Sequence, residues 1–231
     1  MKRLGLLLLV FGAALLFLAA GCAEKEADPA SIARGGALYD KWWKVDDGAS
    51  EPTADHPLWA TQSSNTRSDS TTWRCKECHG WDYQGVGGAY ASGSHRTGFP
   101  GVMDSGNDRS AAELVKILKG GDNADHDFSS VMSDTALEDL ANFLNEGLID
   151  EKPLINYATK GVIGANLTNG KSLYDGTCAA CHGADGRLIL IEETEVVSTL
   201  ANGNPWEILH KIRFGQPGTP MPAGLAHGWS T

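Results

Sequence analysis

Cysteine is scarce in this chain, and none of it is spare. There are five cysteines. Four fall in two copies of one pattern, Cys75-Lys76-Glu77-Cys78-His79 and Cys178-Ala179-Ala180-Cys181-His182, and the fifth is Cys22. None is left for a disulfide, a thiolate nucleophile or another metal. Positive charge is also short: 19 Lys and Arg stand against 29 Asp and Glu, for a net −10. An anion of this kind is a poor ligand for nucleic acid, which attracts basic patches. It can be steered towards basic partner surfaces. Methionine is short as well, with only Met103, Met132 and Met221 beyond Met1. Hydrophobic residues make up 42 % of the chain, but the first twenty residues inflate that figure.

Those residues form a distinct segment. Lys2 and Arg3 precede an almost unbroken apolar run from Leu4 to Ala20, the charged and apolar parts of an export signal. The end, Leu18-Ala19-Ala20-Gly21-Cys22, is similar to a bacterial lipobox. Residues 1–21 are therefore expected to be a lipoprotein signal peptide, with Cys22 lipidated and 22–30 a tether. An uncleaved anchor is the main alternative, although about 17 apolar residues is the bottom of the spanning range. Both readings place the body on the periplasmic side of a bacterial membrane. Removing the segment leaves 17 basic against 29 acidic side chains, a net −12.

C-x-x-C-H is the attachment pattern of c-type haem. On a helical turn residues i, i+3 and i+4 share one face. Two thiols can then bond the two vinyl groups while the histidine meets the iron. Two copies imply two covalently bound haem c groups, held by Cys75, Cys78 and His79 and by Cys178, Cys181 and His182. A zinc site is disfavoured, because structural zinc pairs are usually separated by about 12–20 residues and these are about 100 apart.

Internal self-similarity extends the pairing. Gly35-Gly36-Ala37-Leu38-Tyr39-Asp40 aligns with Gly170-Lys171-Ser172-Leu173-Tyr174-Asp175. In the first copy residues 41–74 intervene before the motif, an insertion carrying Trp42, Trp43, Trp59 and Trp73. So much tryptophan packs on something, either as haem cover or as a docking surface. Asp28-Pro29 reads as a helix start, and Ser110-Ala111-Ala112-Glu113 as a capping box opening a helix that stops at Gly120-Gly121. The counterpart of that helix starts at Asn204-Pro205-Trp206-Glu207, carries Ile208, Leu209 and Ile212, and stops at Gly215. Ser133 caps a closing helix with an apolar stripe of Leu137, Leu140, Ala141 and Leu144, ended by Gly147.

The expected organisation is mainly α: a first unit over 31–147, a linker over 148–165 and a second unit over 166–231. The second unit does not close. Ser230-Thr231 reads as an N-cap without its helix, so either a C-terminally truncated chain or completion by a partner is expected.

On these residues the sequence resembles class I cytochromes c, arranged as a tandem di-haem lipoprotein. The resemblance covers roughly residues 30–225. It implies two small helical folds with long loops, each built around a haem, with a loop methionine as the second axial ligand. Met221, in Gly218-Thr219-Pro220-Met221-Pro222-Ala223-Gly224, lies 39 residues after His182 and matches the family's ligand loop. For the first haem the resemblance points to Met132, 53 residues after His79, with Met103, His126 and His95 as rivals. Pro100 is a candidate for the carbonyl that orients His79; residues 187–203 hold no proline to do the same for His182. The implied activity is one-electron transfer between redox partners at the membrane, with no catalytic residues. The competing reading is a haem enzyme, a di-haem peroxidase or a dehydrogenase, with an open first haem.

Overall fold

A computed structural model of the chain describes residues 26–191 and 195–229. The proposed signal segment, Cys22 and the Ser230-Thr231 cap lie outside them. The described residues are mainly helical, with isolated β-bridges in place of any strand. None of their helices is long and apolar enough to cross a membrane.

The first unit is built on α1 (Pro29–Lys41), where Asp28 accepts the Ala30 N–H at 3.0 Å and Pro29 takes a position that needs no donor. The motif itself forms α2 (Cys75–His79). A short α3 (Met103–Asp108) leads to α4 (Ala111–Leu118), opened by the expected capping box between Ser110 and Glu113. Then α5 (Asp134–Asn142), capped by Ser133, runs through a wider turn to Gly147. The predicted stripe Leu137, Leu140, Ala141 and Leu144 is buried against α1 in one apolar core with Ile32, Leu38, Tyr39, Trp42 and Phe143. The close approach needs a bare backbone: a Cβ on Gly35 would overlap the Asp139 carbonyl oxygen.

In the second unit α6 (Leu167–Leu173) continues through a wider turn into α7 (Ala179–His182), followed by α8 (Val197–Gly203) and α9 (Pro205–Phe214). The start of α9 at Pro205 agrees with the sequence reading, but the packing differs. The face of α9 that is buried is Trp206, His210, Lys211 and Phe214, while Ile212 is exposed. The reason is tertiary: α9 docks on α1 of the first unit, with Phe214 filling the space where Gly36 lacks a Cβ.

The stretch 148–165, expected as a linker, is partly interior. Ile155 joins Trp81, Tyr90 and Trp206 in a second apolar cluster, and Glu151 is buried. Between the units His210 is fully buried and neutral; burial lowers it to about 3. Its Nε2–H donates to the Gly36 carbonyl at 2.9 Å, and its Nδ1 accepts from the Tyr83 hydroxyl at 2.8 Å.

Candidate functional site

Both motifs sit on the same local frame. Tyr39 donates its hydroxyl to the Gly80 carbonyl at 2.7 Å, and Tyr174 donates to Gly183 at 2.8 Å. Each glycine directly follows the motif histidine. The His79 carbonyl accepts the Gly85 N–H at 2.8 Å, and the His182 carbonyl accepts the Leu188 N–H at 3.0 Å. The aligned tyrosines therefore lock the turn after each motif in the same way.

A small cleft of about 50 Å³ lies over the first motif. Cys75, Cys78 and His79 form one wall. Leu58, Trp73, Phe99 and Phe128 make it largely apolar, and His56 and His126 complete it. His56, Leu58, Thr72 and Trp73 all come from the tryptophan-rich insertion, which supplies one side of the cavity. Three of its four indoles are held internally: Trp42 donates to the Trp73 carbonyl at 3.1 Å, Trp59 to Arg67 at 2.8 Å and Trp73 to Ala54 at 2.8 Å.

His79 is oriented as a ligand. A carbonyl can only accept, so the 2.7 Å contact with Pro100 places the proton on Nδ1 and leaves the Nε2 lone pair free. Burial lowers the imidazole to about 4, keeping it neutral near pH 7. Pro100 is held close by Gly85, where an added Cβ would lie 2.5 Å from the Pro100 carbonyl carbon. In the second motif His182 Nδ1 has no hydrogen-bond partner among the described residues, in keeping with the missing proline. Burial pushes the Cys75 and Cys78 thiols up to about 12. Unattached, they are poor thiolates, which suits neither a redox C-x-x-C pair nor a zinc site.

The two inner residues of the first motif are charged and buried, a feature sequence reasoning passed over. Glu77 accepts from Lys76 at 2.7 Å, from the Asn65 amide at 2.8 Å and from His95 Nδ1 at 3.0 Å. Burial would raise its carboxyl, but these donors outweigh burial and hold it below the carboxylate range. Around the corner, Asp40 pairs with Arg74 and, at 2.7 Å, with Lys211 of α9. Lys76, Lys211 and Arg74 all approach the Trp81 ring, at 5.2, 4.9 and 5.8 Å from its centroid.

The remaining ligand candidates separate clearly. His95 is engaged at both nitrogens, because Arg67 donates to Nε2 at 3.0 Å and Nδ1–H donates to Glu77; it is a structural residue stacked on Tyr90. Met132 is buried in the first unit's core. Met103 begins α3 and packs on the same core. Neither methionine is among the cavity-lining residues, whereas His126 is. Met221 lies half-buried on the loop after α9, its N–H bonded to Thr219 Oγ1 at 3.3 Å. His56 carried no sequence signal beyond a histidine before Pro57 in the insertion.

Residues 165–228 match the family model of cytochrome c oxidase, cbb3-type, subunit III. No curated protein and no solved structure matches the chain. The matched segment is a cytochrome c domain and contains Cys178, Cys181, His182 and Met221. A domain of that family carries covalently bound haem c and serves electron transfer.

Proposed function

We propose that the chain is a di-haem c-type cytochrome, held at the periplasmic side of a bacterial membrane through lipidated Cys22, that passes single electrons between redox proteins. The observation that carries this reading is the equivalence of the two motifs. The first lies outside the matched segment, yet it repeats the tyrosine–glycine lock of the second, and its cysteines and histidine face a cleft lined largely by apolar side chains. When bound, haem c supplies a reversible one-electron Fe(III)/Fe(II) couple.

The protein's own groups do the rest. Cys75 with Cys78, and Cys178 with Cys181, offer paired thiols on one helical face. The Pro100 carbonyl fixes the His79 tautomer so that its lone pair is presented without a competing proton. Met221 is the second ligand that the resemblance assigns to the Cys178 haem. The insertion places Leu58 and Trp73 on the wall of the first site, an apolar lining that suits outer-sphere transfer. The acidic surface suits a basic partner face. The name of the matched family supports a larger oxidoreductase as that partner.

Haem content and potentials test the proposal. The full mature protein is expected to carry two haems per chain and to titrate in two one-electron waves. The double variants Cys75→Ala/Cys78→Ala and Cys178→Ala/Cys181→Ala each lose one wave. A single haem per chain would refute the di-haem reading. Rapid peroxide turnover would favour the haem-enzyme alternative.

A further inference from the structure

The group that faces His79 across the first cavity is another imidazole. The ring centroids of His79 and His126 are 6.2 Å apart and their planes cross at 76°. Two imidazoles bound to one iron from opposite sides have centroids roughly 6 Å apart, the sum of two metal–nitrogen bonds of about 2 Å and two ring radii of about 1 Å.

His126 is also pinned in place. It ends a single turn (Ala124–His126) in which its N–H donates to the Asn123 carbonyl at 2.9 Å, while the Asn123 side chain accepts the Asp125 N–H at 3.0 Å. On either side the loop is tied to the end of α4. Gly121 N–H donates to the Lys116 carbonyl at 2.8 Å, and Phe128 N–H donates to Leu118 at 2.9 Å. The insertion turn Pro57–Thr61 packs against it from outside. A ligand carried on such a loop is positioned by α4 and not by the core stripe that buries Met132.

The competing histidine on the same wall does not qualify. His56 Nδ1 accepts the Leu58 N–H at 3.2 Å. An accepting Nδ1 bears no proton, so the ring carries it on Nε2, which is then no free ligand nitrogen.

We infer that His126 is the second axial ligand of the haem held by Cys75, Cys78 and His79, so that the two haems of the chain differ: His79/His126 at the first, and His182/Met221 at the second. The inference rests on the di-haem reading above. Thioether sulfur raises a haem potential and a second imidazole does not, so the couple at Cys75 lies below the couple at Cys178.

The test uses the full haem-loaded protein. Electron paramagnetic resonance and near-infrared magnetic circular dichroism of the oxidised wild type are expected to give one bis-histidine and one histidine–methionine haem. His126→Ala is expected to turn one haem equivalent high-spin and leave the methionine-type signal in place. Met132→Leu is expected to leave both signals and both midpoints where they are. His126→Met, which keeps a sixth ligand if the alanine variant folds poorly, should convert the bis-histidine signal to a second methionine type and raise the lower midpoint. Two methionine-type signals in the wild type would overturn the assignment while leaving the two haems standing. So would loss of the first haem's low-spin signal in Met132→Leu or His56→Ala but not in His126→Ala. A chain that binds one haem would instead overturn the reading beneath it.

Discussion

In the first unit α1 is enclosed on two sides, by α5 against Gly35 and by α9 against Gly36; in the second the equivalent helix α6 stands open. The aligned positions make the contrast quantitative. Ile32 is 8 % exposed and Leu167 81 %, and Leu38 is fully buried where Leu173 is 54 % exposed. A Cβ at Gly170 would meet nothing within 4 Å. Yet the tyrosine lock at the motif is the same in both units. The lock joins residues 9 apart in the second unit and 41 apart in the first, and forms whether or not the helix is covered. The core depends on partners far along the chain, and α9 of the second unit gives its own buried face to the first.

The largest difference expected between the units lies at the aligned aspartates. Asp40→Ala strands the Arg74 and Lys211 cations inside the protein and should cost on the order of 3–5 kcal/mol. Asp175→Ala removes only an exposed pair with Lys171, worth roughly 0.3–0.5 kcal/mol. Denaturant unfolding of both variants measures the ratio; equal losses would mean that α6 is as enclosed as α1. The Asp40 pair also has a pH signature. Burial raises this carboxyl, but Arg74 and Lys211 outweigh burial and depress it. Its contribution is therefore present above the usual carboxylate range, near pH 4, and is lost as pH falls further.

The glycines should give effects of opposite sign. Gly35→Ala or Gly36→Ala forces α5 or α9 away and should destabilise by about 1–3 kcal/mol, despite alanine's better helix propensity. Gly170→Ala has only that propensity to gain, up to about 1 kcal/mol. Thermal melts of the three variants sort them by sign. A stabilised Gly36→Ala would break the claim that α9 docks on α1.

Glu151 probes how firmly the connecting segment belongs to the first unit. Both of its carboxylate oxygens are buried without a partner, and burial, with Asp82 nearby, pushes it up to about 9. The folded state keeps a proton that the unfolded state releases above its ordinary range. The stabilising contribution is thus complete below about pH 4.5 and lost as pH rises towards 9. Glu151→Gln is expected to leave the Tm unchanged at pH 4 and raise it at pH 8. The smallest contrast is at the lock itself. Tyr39→Phe should cost about 1 kcal/mol for a buried hydrogen bond, and Tyr174→Phe somewhat less because its bond is partly solvated.

Much of the site was legible from local pattern. Asp28, Ser110 and Ser133 cap helices where expected, because capping involves residues two or three apart. Pro100 was a candidate for orienting His79, and its carbonyl is where that role needs it. The aspartate–arginine–lysine cluster under Trp81 had no sequence signal, since Asp40 and Lys211 are 171 residues apart. The stripe on α9 was misleading for a related reason: Ile208, Leu209 and Ile212 follow helical period, but the first unit offers α9 a surface for Trp206, His210 and Phe214.

The sequence by itself determined the spacing of the two motifs' thiols and histidines and the internal likeness on which the di-haem proposal rests. Two thiols and a histidine at fixed spacing need only one helical turn, and the tyrosine aligned before each motif marks where the lock forms, over 9 residues in one copy and 41 in the other. Only the tertiary structure decided which side chain faces His79 and which helix covers which core. Those choices depend on loop 119–128 returning beneath α4 and on α9 crossing to α1. Both are long-range closures whose free energy comes from burial rather than from any local run of residues.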